Sequence, residues 1–123
     1  MQNSPFMFGP LALTNTYTTN ILNPGTTTGG VNGTGSGSLY ILINHFRIIN
    51  KTASPATFRL YKDATGGNNA GKELIGFDTA VAANAGNDYY GKWLFKVADF
   101  LVGGASASTT LTIEGEGEIG LIP

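Results

Sequence analysis

Leu39–Asn50, LYILINHFRIIN, is the longest apolar run in the chain, and its reading decides the fold. It is rich in β-branched and aromatic side chains, which suit a pleated, half-buried surface. A helix would need apolar positions three and four apart with a polar back, and this segment has no such back. Tyr40-Ile41-Leu42-Ile43 is apolar on both faces. From Asn44 the parity separates: Phe46 and Ile48 continue the inner face of Tyr40 and Leu42, while His45, Arg47 and Lys51 point the other way. The reading is a central strand with one face in its own core. Its other face is covered at one end by another part of the chain or by another subunit, which puts Ile41 and Ile43 at an interface.

Composition narrows the function classes. The 123 residues carry seven basic and eight acidic side chains, a net charge of −1. A binder of the phosphate backbone carries a basic excess, so nucleic acid is not expected as a partner. There is no cysteine, hence no disulfide and no thiolate metal site or nucleophile. No apolar stretch approaches the roughly 20 residues of a membrane helix. The first positive side chain is Arg47, so the expected start is not a secretory signal, and folding in a cytoplasm is expected.

Residues 1–38 contain no charged side chain, and from Asn23 to Ser38 they read NPGTTTGGVNGTGSGS. Such a stretch buries too little apolar surface to offset its ordering entropy alone. Ahead of it stand Phe6, Met7 and Phe8 between Pro5 and Pro10, then Leu11 and Leu13. The expectation is an extended N-terminal arm over 1–38, with Phe6, Met7, Phe8, Leu11 and Leu13 as anchors on a neighbour, and a β domain over 39–123.

Within that domain Ala56–Lys62 alternates, with Phe58 and Leu60 on one face and Thr57, Arg59 and Tyr61 on the other. Asp63–Gly71, DATGGNNAG, reads as a loop. Glu73–Asp78 is expected as a short strand and TAVAANAGND as a small-residue connection. Tyr89–Val97 reads as a strand with Tyr89, Trp93, Phe95 and Val97 inward. Ala98–Val102 before Gly103-Gly104 reads as one capped helical turn. From Thr109 to Leu121 the alternation is strict, with Leu111, Ile113, Ile119 and Leu121 against Thr110, Thr112, Glu114, Glu116 and Glu118. This rhythm predicts an all-β antiparallel sandwich, jelly-roll-like. A body this small gains from oligomerisation.

Chemistry-bearing residues are few. His45 is the sole histidine, and no nucleophile or orienting acid stands near it in sequence, so no catalytic residue is expected. Glu114, Glu116 and Glu118 form a ladder spaced about 7 Å apart on a regular strand. A ladder does not wrap a cation as a Ca²⁺ loop does, so it reads as a solvated or edge-guarding face. The glycine-rich run lacks the Lys-Ser/Thr and helix of a phosphate loop, and no cofactor is expected. Asn32-Gly33-Thr34 and Asn50-Lys51-Thr52 match the glycosylation sequon by chance. Tyr61, Tyr89, Tyr90 and Trp93 raise a rival class, a carbohydrate-binding sandwich, although Trp93 shares parity with Phe95 and Val97 and so belongs to the core.

RIINKTASPATFRLYKD from Arg47, the following KELIG, and YYGKWLFKVADFLVGGASASTTLTIEGEGEIGL from Tyr89 resemble small virion proteins of tailed bacteriophages. The resemblance implies a non-enzymatic capsid cement or decoration protein, made in the bacterial host cytoplasm and resident in the virion. It implies a homo-oligomer, commonly a trimer, that stabilises the head by binding across neighbouring subunits of the major capsid protein. A tail, neck or baseplate component is the alternative within that class.

Overall fold

The computed structural model describes residues 2–24, 38–108 and 110–121. The tether between residues 25 and 37, with the sequon at Asn32, lies outside the described residues. The elements are β1 (Gln2–Ala12), β2 (Thr19–Leu22), β3 (Ser38–Asn50), β4 (Ala56–Asp63), β5 (Thr79–Val81), β6 (Gly86–Lys96), β7 (Phe100–Ala105) and β8 (Leu111–Leu121). They form two antiparallel four-stranded sheets, ordered β1-β8-β3-β6 and β2-β7-β4-β5, in a sandwich-like all-β fold. The pairings β4 with β5, β3 with β6, β2 with β7 and β1 with β8 nest inside one another. The chain thus runs as one long hairpin wound across both sheets.

β3 lies between β8 and β6, as its apolar run predicts. Its face assignment needs a correction. The register against β8 shifts between Ile43 and His45, so Asn44 is an extra residue on β3. A bulge of this kind reverses parity. Ile41 and Ile43 point inward together with Phe46 and Ile48, each at most 1% exposed. Tyr40 and Leu42 therefore belong to the outer face, with His45 and Arg47.

The second correction concerns the expected arm. Residues 2–12 pair with β8 and residues 19–22 with β7, so the N-terminal segment supplies an edge strand to each sheet. Phe6 and Phe8 alternate into the core, and after the irregularity between Phe8 and Leu11 the buried position becomes Leu13. Their burial explains the pairing: each large apolar side chain removed from water contributes on the order of 1.5–3 kcal/mol. Gly115 leaves room for the Phe8 ring, which a Cβ there would strike.

Three local readings also change. Glu73–Asp78 forms only an isolated bridge, Tyr61 to Glu73, yet Leu74 N donates to Leu60 O and Lys62 N to Lys72 O. The segment thereby runs alongside the second half of β4, and Tyr61, which alternation alone leaves outside, is buried. TAVAANAGND contains the short strand β5. Ala98–Val102 is no helical turn: β7 begins at Phe100 and runs through Gly103 and Gly104. Both glycines are buried where backbone passes close by, Gly103 against Arg59 and Gly104 against Thr14 and Thr16.

Asn50 and Asp63 are buried polar groups that set the connections. The Asn50 side chain donates to Ser54 O at 2.8 Å and Val81 O at 3.1 Å and accepts from Thr52, so this sequon residue is enclosed in its own turn. Asp63, its side chain 2% exposed, holds the loop that follows it. It accepts from Ala64 N at 2.7 Å, Asn69 N at 3.0 Å, Asn69 Nδ2 at 2.9 Å and Lys72 Nζ at 3.1 Å. The backbone bonds from Asn69 and Ala64, with Lys72 adding to them, draw its pKa from 3.8 down to about 2. A depressed carboxylate stabilises the fold above the unfolded-state value, and that contribution disappears as pH falls through the folded one. Asp63→Asn is therefore expected to lower the melting temperature by roughly 5 °C or more at pH 7. The gap from wild type should narrow on acidification below about pH 4, as followed by circular dichroism melts. A pH-independent gap would mean that Asp63 acts by shape and not by charge.

Candidate functional site

Beyond Asn44, period-two geometry carries His45 and Arg47 onto the outer face of the first sheet, and register brings partners from the neighbouring strands. Tyr90 of β6 and Glu116 of β8 stand opposite His45, and Met7 of β1 stands opposite Glu116. In the next row Asp88 and Glu114 flank Arg47. Two cross-strand rows thus place an aromatic, two cationic-type side chains and three carboxylates on one face.

Their contacts form a network centred on Asp88. Its Oδ1 accepts from Arg47 Nε at 2.8 Å and lies 2.9 Å from His45 Nε2. Arg47 first, then His45, hold the Asp88 carboxyl below its ordinary range, and Arg47 is raised in return. His45 Nδ1 lies 3.5 Å from Glu116 Oε1, and the imidazole stacks on the Tyr90 ring with centroids 4.7 Å apart. Among the described residues no serine, threonine or lysine side chain joins these contacts.

The glutamate ladder is divided among different cross-strand neighbours. Glu114 faces Arg47, Glu116 faces His45, and Glu118 accepts the Tyr40 hydroxyl at 2.7 Å, which raises the Tyr40 pKa. Among the described residues no group of three or more His, Asp or Glu side chains is arranged to hold a metal ion.

A second cluster lies on the outer face of the other sheet. The Arg59 guanidinium sits 4.2 Å from the Tyr17 ring centre and 3.8 Å from that of Phe77. It bonds Asp78 through Nε at 2.6 Å and Nη2 at 3.1 Å, and that bonding lowers the Asp78 pKa. Phe77 is nevertheless 63% exposed.

The residues expected at an interface divide. Phe6, Phe8, Leu13, Ile41 and Ile43 are buried in the core of their own chain, and Leu11 packs against it half-buried. Enclosed side chains have nothing to offer a partner. Met7, 58% exposed, keeps the outward position an interface needs. Trp93 is partly buried against the core, so the exposed aromatics are Tyr90 and Phe77. Sequence reading passed over Phe77 and Asp88, whose roles come from cross-strand and loop contacts with no local motif.

Among the described residues no helix is long and apolar enough to cross a membrane. The chain matches no protein-family model, no curated protein and no solved structure.

Proposed function

We propose that this chain is a bacteriophage virion structural protein, a capsid cement or decoration protein that binds across neighbouring coat subunits as a homo-oligomer, a trimer by the resemblance stated above. The nested strand pairing supports a jelly-roll reading of the sandwich, an architecture common in capsid proteins. The observation that carries the attachment is Phe77. An exposed aromatic costs little entropy to bind when it is already fixed, and Phe77 is held against the Arg59 guanidinium beside Tyr17 and Asp78. Aromatic and arginine side chains dominate binding hot spots. Met7, Ile75, Leu94 and Val97 add further exposed apolar surface.

The test is occupancy on particles assembled without the protein. Full-length chain is expected to saturate heads and raise the temperature at which they rupture, and Phe77→Ala to weaken binding by roughly tenfold or more. Light scattering is expected to give three copies. Binding confined to tails would move the protein to the tail, neck or baseplate. No binding to any part of the particle would remove the virion reading.

A further inference from the structure

The outer face of the first sheet offers a surface that the attachment through Phe77 leaves unused. Tyr90 is 75% exposed, yet its ring is fixed, lying nearly parallel to His45 at 23°. His45 is itself held by Asp88 and Glu116. Among the described residues no other ring lies on Tyr90, and its hydroxyl has no hydrogen-bond partner. The result is a rigid aromatic platform open to solvent.

Polar groups beside the platform are only half used. Arg47 engages Asp88 through Nε alone, and both Arg47 and His45 meet the same oxygen, Oδ1. Among the described residues this leaves the Arg47 Nη groups and Asp88 Oδ2 without a hydrogen bond. Arg47 and Asp88 also wall a cleft of about 500 Å³ with Ile49, Lys51, Asn84 and Gly86. The Asn84 carboxamide, which both donates and accepts, has no partner among the described residues either.

Charge selects the ligand class. On this face Arg47, Lys51 and Lys96 are matched by Asp88, Glu114, Glu116 and Glu118, so there is no positive excess to attract a polyanion. An aromatic platform beside paired donors and acceptors without net charge fits a molecule with apolar C–H faces and many hydroxyls. We propose that this face binds a neutral glycan, one sugar ring stacked on Tyr90 and its neighbour hydrogen-bonded in the cleft by Arg47, Asp88 and Asn84. The site is independent of the attachment proposed above, and particle occupancy does not depend on it.

Affinity electrophoresis of the full chain tests this, in native gels containing dextran, mannan, laminarin or galactomannan, with polygalacturonate as the anionic comparison. Retardation is expected in at least one neutral gel and not in polygalacturonate. Tyr90→Ala is expected to weaken it by about tenfold, the scale of one stacking contact. Asn84→Gly should weaken it as well, glycine being the substitution that keeps the positive φ of 53° at this position, and both variants should still unfold cooperatively within about 5 °C of the wild type, because both side chains are exposed. Migration unchanged in all four neutral gels overturns the proposal. So does retardation that Tyr90→Ala leaves intact, or retardation confined to polygalacturonate. Tyr90→Ala that loses glycan binding while still saturating particles would separate the two surfaces.

Discussion

A chain lacking residues 1–22 is expected to lose its cooperative fold. The deletion removes β1 and β2, one edge strand from each sheet, and bares one backbone edge of β8 and the Leu101–Gly103 stretch of β7. It also removes Phe6, Phe8 and Leu13 from the core, where each is no more than 7% exposed. Truncating a single large core side chain typically costs about 2–5 kcal/mol. Three such losses rival the entire stability of a small domain, roughly 5–15 kcal/mol, before the lost strand pairing is counted. Circular dichroism and urea unfolding are the measurements, and the expected result is a broad, non-cooperative transition or aggregation through the exposed edges. A truncated chain that unfolds cooperatively near the wild-type midpoint would return residues 1–22 to the role of an arm outside the body.

The reason the arm reading arises at all is physical. Phe6 and Phe8 alternate with Pro5 and Met7 as a strand should, but Pro5, Gly9 and Pro10 are residues that usually interrupt one. An edge strand tolerates them because only one side of its backbone is paired. β8 and the first half of β4 are legible for the opposite reason: their period-two alternation is unbroken, over Leu111–Ile119 and over Ala56–Leu60, and their inner residues Leu111, Ile113, Phe58 and Leu60 are all buried. β3 is legible as a central strand but not in its faces. Asn44 carries no signal that it is a bulge, and a single inserted residue exchanges inside for outside over the first half of the strand. The site shows the same division. His45, Arg47 and the glutamates can be placed on one type of face by parity, whereas Asp88 and Tyr90 meet them through the register of β6 on β3. Register depends on pairing across more than forty residues of chain, which no local pattern records.

Replacing Phe46 by alanine is expected to be the most damaging single truncation in the core beneath the site. Phe46 is 1% exposed and is the first inward residue after the bulge. Its ring lies 5.1 Å from that of Tyr89 and 5.2 Å from that of Trp93, so it joins β3 to β6 just below the outward His45 and Arg47. Truncation loses the transfer free energy of the ring and leaves a cavity, together about 3–5 kcal/mol. Tyr89 and Trp93, being only partly buried, can lean into part of the space, which argues for the lower half of that range. Tyr90→Ala, on the opposite face of the sheet, should cost only about 1 kcal/mol, the scale of its one cross-strand stack on His45. Urea unfolding of the two variants side by side provides the check, with unchanged denaturant slopes showing that both start from the same fold. Equal losses in the two would mean that Tyr90 is structurally engaged, and its platform would no longer be free for a ligand. A small loss for Phe46→Ala would mean that β3 is not bulged at Asn44, since without the bulge an inward Ile43 places Phe46 on the outer face.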